Sequence, residues 1–272
     1  MDVVSDNNRY CCPNSLDPEA LGPVEVLYPH ALTPAIFVSD HAGNAVPSDM
    51  KKLGLPEKEL ERHIAWDIGA DALSRLIARR FKATTILARY SRLIIDANRA
   101  LGDPEAIPDV SDGTVIPANI SMTENERLRR AELFYWPYHN RIAAELGRLR
   151  SFGSVPALIA LHTFTPSING AARPWHVGVL WNERDGRIAR PLMDRLAKVE
   201  GLSVGDNQPY SGVTHGYSLR LHGDAQGLAH VEIEVRQDLV CDGVGQERWA
   251  RILGEALTPI LDDPTVHSIS FS

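Results

Sequence analysis

Long apolar stretches are missing from this sequence. No run approaches the roughly 18 residues that a membrane-spanning helix needs, and the segment from Met1 to Asn14 lacks the basic start and apolar core of a signal peptide. Cysteine is scarce as well. Cys11, Cys12 and Cys241 are the three present, too few and wrongly spaced for a disulfide framework or a cysteine-zinc site. Basic clusters are also lacking: 28 Lys and Arg face 35 Asp and Glu, for a net charge of -7. The densest basic stretch is the scattered set Arg127, Arg129 and Arg130. Without a surface that neutralises phosphates, nucleic acid is excluded as a partner class. A small anion held by one buried arginine is not. The expectation is a soluble, cytoplasmic chain with no membrane or nucleic-acid partner; its oligomeric state is not legible.

What is present suits a globular fold. The chain has 272 residues, 44% of them hydrophobic, and a chain of this size buries roughly 70% of its extended surface. Residues 1–33 are rich in Pro, Asp and Asn and read as an extended N-terminal arm with one short strand, Val24 to Leu27. From residue 34 to 272, apolar runs of strand length alternate with helical periodicity, which predicts a single α/β domain. The predicted strands are Ala35–Ser39, Thr84–Tyr90, Leu93–Ile95, Ala157–Leu161 ending at His162, Val177–Trp181 and Ala229–Val235. Helices are predicted between Asp67 and Phe81, Thr123 and Leu149, Arg187 and Lys198, and Gly245 and Leu257. The spacing Thr123-x-x-Glu126 predicts a capping box, and Pro137 a kink or break in the helix that follows.

Polar residues collect where strands end, which is where open α/β sheets place their chemistry. His41 and Asn44 are spaced i, i+3 after one apolar strand, and His162 follows another. Two imidazoles and an oxygen ligand can hold a divalent metal with one position open; each histidine also fits a satisfied structural role. Arg92, Asp96, Asn98 and Arg99 fall within eight residues. Either Asp96 neutralises an arginine, or the guanidinium groups polarise a carbonyl and fork a carboxylate. Glu232 and Glu234 share a face of one strand, as a solvated edge would, or as a carboxylate beside a metal-bound water would. Phosphate-binding glycine loops, the GxSxG elbow and the HExxH helix are all missing.

Taken in order, SDHAGNAVP (39–47), HIAWDIGA (63–70), SRLIIDANR (91–99), ALHTFTP (160–166), GVLWN (178–182), NQPYSG (207–212), HGYSL (215–219) and IEVRQDL (233–239) resemble the N-formylglutamate amidohydrolase family over about residues 35–240. That family is similar in turn to the zinc carboxypeptidases and to aspartoacylase. The resemblance implies a three-layer α/β/α sandwich around a mixed, mostly parallel sheet, phosphorylase/hydrolase-like in type. It implies one divalent metal ion, zinc first among candidates, on His41, Asn44 and His162. It further implies Glu234 as general base and acid and Arg92 as oxyanion stabiliser, with Asn98, Arg99 and Tyr210 binding a small anionic N-acyl amino acid. Asn44 departs from the pattern, standing where the carboxypeptidases have glutamate; either metal affinity drops, or another acid such as Asp67 or Asp40 completes the shell. The implied activity is metal-dependent hydrolysis of N-formyl-L-glutamate or a similar compound. The alternatives are a carboxypeptidase-like hydrolase of another N-acyl amino acid or short peptide, and a carboxylate binder that has lost its metal.

Overall fold

A computed structural model describes residues 22–168 and 170–271. Seven strands form one sheet: β1 (Val24–Leu27), β2 (Ala35–Ser39), β3 (Thr84–Ala88), β4 (Ala157–Phe164), β5 (Val177–Leu180), β6 (Val204–Asp206) and β7 (His230–Arg236). Their order is β1-β3-β2-β4-β7-β5-β6. The pairs β1–β3 and β7–β5 are antiparallel and the other four are parallel. Strands β2, β3, β4 and β5 are buried at every position. Covered on both faces, they have no solvent side to alternate with, and so read as nearly continuous apolar runs.

Among the described helices are α1 (Ala70–Phe81), α2 (Glu124–Arg130), α3 (Trp136–Ser151), α4 (Ala189–Leu196), α5 (Tyr217–His222) and α6 (Gly243–Leu261), and all of these but α2 cover the sheet. Leu73 and Ile77 of α1, Leu192 of α4 and Leu253 of α6 pack on one face with Phe37, Ile159 and Val231. Tyr138 and Ile142 of α3 and Leu219 of α5 pack on the other with Ile36, Val38 and Leu158. The result is a three-layer α/β/α sandwich. A third apolar cluster joins Leu53, Ile64, Leu93, Ile94, Ile116 and Tyr135 beneath the long connections.

Three local expectations are revised. Leu93–Ile95 is not a strand but a buried turn. Asn119 Nδ2 donates to the Leu93 carbonyl at 3.0 Å and Arg130 Nη1 to the Ile94 carbonyl at 2.9 Å. Side chains thus satisfy backbone groups that a sheet would otherwise pair. His162 lies within β4 rather than after it, opposite Glu234 of β7 in parallel register. At the helix start, the Thr123 hydroxyl accepts from the Glu126 amide at 3.3 Å, while the Glu126 carboxylate faces Arg129 and Arg130. Ahead of Pro137 the helix runs on without a break through a π-helical turn, Ala131–Tyr135, into α3 at Trp136; the expected kink takes the form of this wider turn, next to a residue that has no N–H to donate. Residues 1–21 of the expected arm lie outside the described residues. Its later part pairs as β1 on the edge of the sheet.

The loop 207–212 rests directly on β5. A Cβ at Gly178 would stand 2.0 Å from the Gln208 carbonyl oxygen, whereas one at Gly147, exposed on α3, would meet nothing within 4 Å. Gly178→Ala is expected to cost about 1–3 kcal/mol through overpacking, and Gly147→Ala to add about 0.5–1 kcal/mol through helix propensity. Urea midpoints at unchanged slope check both signs.

Candidate active site

Strand periodicity builds the site. On the face covered by α3 and α5, Ile36 and Val38 of β2 lead to Asp40, and Leu158 and Ala160 of β4 lead to His162. On β7, Val231, Ile233 and Val235 face the other way into the first core, which leaves Glu232 and Glu234 on this side. From β2 the chain crosses to β3, while the strands after β4 lie on its other side. The β2–β4 gap is therefore a topological switch point, where α/β sheets open a crevice.

His41 and His162 meet there edge to face, with ring centroids 4.9 Å apart. The Nε2 of His41 lies 2.7 Å from Asp96 Oδ1, and the Nε2 of His162 lies 3.0 Å from Asp40 Oδ2. Both Nδ1 atoms turn to Asp67 Oδ2, at 3.4 Å from His41 and 2.8 Å from His162. One donor atom from each of His41, Asp67 and His162 lies within 4.8 Å of the other two, and all three residues are buried. Each imidazole lies between two carboxylates, which against burial raise its pKa and favour the protonated ring; an ion that displaced the inner proton would leave the outer nitrogen donating to its carboxylate, the usual arrangement of metal-bound histidine. Two imidazole nitrogens and one carboxylate oxygen form a donor set that can hold a divalent ion with a position left open.

Asn44, expected in that set, is turned elsewhere: its Nδ2 donates to the Leu60 carbonyl at 2.9 Å. Asp67, just ahead of α1, supplies the acidic oxygen instead, and its backbone amide is tied to the His41 carbonyl at 2.9 Å. Gly43 lets this turn form, because a Cβ there would lie 2.0 Å from the Arg89 carbonyl oxygen. The charges agree with the geometry. Burial alone would raise the Asp67 carboxyl, but His41 and His162 overcome it and hold the group well below the usual carboxylate range.

Arg92 reaches the same centre. Its Nη1 lies 3.3 Å from His41 Nδ1 and 3.6 Å from Asp67 Oδ1, and its Nη2 donates to Asp96 Oδ2 at 2.6 Å. Asn98 accepts from the Ser218 amide at 3.0 Å and points its Nδ2 at Glu232 Oε2, 3.5 Å away. Arg99 is drawn to acids outside this group, 2.7 Å from Glu105 and 3.8 Å from Asp103. Tyr210 accepts a 3.0 Å hydrogen bond from Arg173, a residue that no motif or spacing had marked. Ser218 was missed too; its hydroxyl donates to Asp40. A lone acid amid the apolar IAWDIGA was the one sequence signal for Asp67.

Glu234 differs from the other acids. The reading of Glu232 and Glu234 as a solvated edge fails, because β7 is interior and both residues are buried. Glu234 Oε2 is buried with no hydrogen-bond partner among the described residues. Burial pushes its carboxyl up to about 8, with Asp67 and Glu232 adding to the rise and His162 and His41 opposing it. Without metal, the folded protein therefore keeps a proton here that the unfolded chain releases near its ordinary value of 4.5. That stabilisation is present at low pH and lost as pH rises towards about 8. Chelator-treated Glu234→Gln, which has no such proton, should gain thermal stability relative to wild type as pH rises from about 5 to 8. A gap that stays flat across this range counts against the assignment.

The family model for N-formylglutamate amidohydrolase matches residues 33–241. A Pseudomonas aeruginosa N-formylglutamate deformylase is 24% identical over 200 residues, covering 68% of this chain and 74% of that protein. One from Pseudomonas putida is 28% identical over 177 residues, covering 59% of this chain and 65% of its own length. Among solved structures, a gene product of Agrobacterium tumefaciens matches with a TM-score of 0.85 at 34% identity, covering 90% of this chain and 97% of that one. N-formylglutamate amidohydrolase from Ralstonia eutropha JMP134 has the same fold, with a TM-score of 0.66 at 22% identity, covering 89% and 97%. The chain belongs to the N-formylglutamate amidohydrolase family and is a hydrolase that acts on an amide.

Proposed function

We propose that this chain is a cytoplasmic, metal-dependent deformylase of N-formyl-L-glutamate, with His41, Asp67 and His162 holding one divalent ion, zinc first among candidates. The observation that carries the reading is the pair of carboxylate-backed imidazoles turned onto one buried carboxylate, beside the unpartnered acid Glu234. When bound, such an ion lowers the pKa of water and polarises the acyl carbonyl.

The remaining steps fall to side chains. Glu234 takes a proton from the attacking water and returns it to the leaving amine, the work of a single base that becomes an acid. Its burial suits the first half of that work, because a carboxyl with a raised pKa is a stronger base once ionised. Arg92, held by Asp96 on one edge, offers its other edge to the oxygen that gains charge as the carbonyl becomes tetrahedral. Asn98 orients the amide through the substrate's α-carboxylate, and Arg99 joins it if the Glu105 pair opens. The choice of N-formyl-L-glutamate is supported by the names of the Pseudomonas relatives. The carboxylate-binder alternative loses its main support, since Asp67 offers the acidic ligand that Asn44 could not.

Protein purified without chelator should carry about one divalent ion per chain and release formate from N-formyl-L-glutamate. Stripping the ion should abolish turnover, and adding it back should restore it. Glu234→Gln should lower kcat by roughly 10² or more while the ion stays bound, and Glu232→Gln should do much less. Full activity in ion-free protein, or equal losses in the two variants, would overturn this mechanism. A panel of other N-acyl amino acids and short peptides run alongside tests the substrate.

A further inference from the structure

The three arginines placed near the site differ in what neutralises them. Arg92 is paired with Asp96 at 2.6 Å and Asp67 at 3.6 Å, and Arg99 with Glu105 at 2.7 Å. Arg173 is only 8% exposed, yet among the described residues no carboxylate forms an ion pair with it. Its guanidinium donates to the Tyr210 hydroxyl at 3.0 Å and the Thr165 carbonyl at 3.4 Å. It also lies over two rings, 4.9 Å from the Tyr210 centroid and 5.8 Å from that of Phe164. A guanidinium has five N–H donors, and a buried cation without a counter-ion is costly. Neutral carbonyl and phenol oxygens reduce that cost but leave the charge unmatched.

Tyr210 links this charge to the catalytic groups. Tyr210, which Arg173 touches, stands near enough to Glu234 and Asp67 for burial and both carboxylates to raise its phenol, against the pull of Arg173. A substrate amide lying between Arg92 and Glu234 therefore has Tyr210 and Arg173 beside it.

We infer that Arg173, with the Tyr210 hydroxyl, receives the side-chain carboxylate of the substrate and selects dicarboxylic N-acyl amino acids over their uncharged analogues. This rests on the deformylase reading above. In that reading the α-carboxylate, one carbon from the scissile nitrogen, belongs to Asn98 and Arg99. A second carboxylate needs a cation of its own, and Arg173 is the one whose charge no described protein acid meets. Planar guanidinium fits the two oxygens side by side.

The test compares kcat/KM for N-formyl-L-glutamate and N-formyl-L-glutamine, which share a shape and differ in one charge. Wild type should favour the glutamate compound. In Arg173→Gln that preference should fall roughly 10- to 100-fold, the loss of a charged hydrogen bond at a built polar site. The fall should come mainly from a higher KM for the glutamate compound, and Arg173→Lys should recover part of it by keeping the charge. Retained turnover of the glutamine compound shows that the variant is folded. An unchanged preference, or equal losses on both compounds, overturns the inference alone. If wild type hydrolyses neither compound, the deformylase reading fails and takes this inference with it.

Discussion

The Asp96 carboxylate ties the site together. One oxygen meets His41 Nε2 at 2.7 Å and the Asn98 amide at 2.8 Å, and the other accepts from Arg92 at 2.6 Å. Burial alone would raise this carboxyl, but Arg92 and His41 hold it ionised far below the usual range. An ionised Asp96 orients the His41 ring and the Arg92 guanidinium and holds the turn that presents Asn98. From His41 the links continue through Asp67 to His162, then through Asp40 to Ser218 on α5. Losing Asp96 would strand a buried arginine and leave an imidazole free to rotate, a far larger penalty than one lost hydrogen bond.

Along this network Asp96, Asp67 and Asp40 each meet a cation or a donor, whereas Glu234 Oε2 meets none among the described residues. Asp40 and Asp67 are also fully enclosed, yet their partners overcome the cost of burial and lower them. Glu234 has Oε2 without a partner, so burial wins and the carboxyl rises. One crevice thus holds carboxylates tuned in opposite directions. Separation of that kind marks groups suited to different tasks: fixed charge for holding and orienting, and a mobile proton for transfer.

The sheet was legible because its strands are covered on both faces, and burial on both faces writes itself as AIFVS, ALIAL or VGVL. The boundary at His162 was misread because a buried polar residue looks like the end of a strand, whereas His162 stays within the ladder opposite Glu234. Leu93–Ile95 misled for the complementary reason. Apolar content reports burial, and here the buried backbone is satisfied by Asn119 and Arg130, which are distant in sequence. In the site, position near strand ends made His41 and His162 candidates that also fitted structural roles, and it was the family resemblance that paired them. The choice between Asn44 and Asp67 was not legible, since it depends on how the segment after Leu60 folds back, with Asn44 captured by the Leu60 carbonyl and Asp67 by the His41 carbonyl. Arg173 carries no local signal, because what sets it apart is the acid it lacks.

The candidate metal donors and the groups proposed to meet the substrate are anchored by different means. His162 sits inside a central strand, His41 directly beyond another, and Asp67 at the approach to a helix, so rigid elements fix the distances that ligation and proton transfer require. Tyr210 instead rides on the loop 207–212, where Asn207 Oδ1 accepts from the Trp181 amide at 3.0 Å and the Gly212 amide at 2.9 Å. Arg173 immediately follows the short hairpin of Ser167–Ile168 and Ala171–Ala172. Substitutions on those two segments can reshape what enters the crevice without moving a ligand, because no hydrogen bond described here links them to Asp96, His41 or His162. Substitutions in 91–99 have no such freedom. Arg92, its orienting carboxylate and the support of His41 share that one turn, so in the mechanism proposed above a change to any of them alters the chemistry before it alters the choice of substrate.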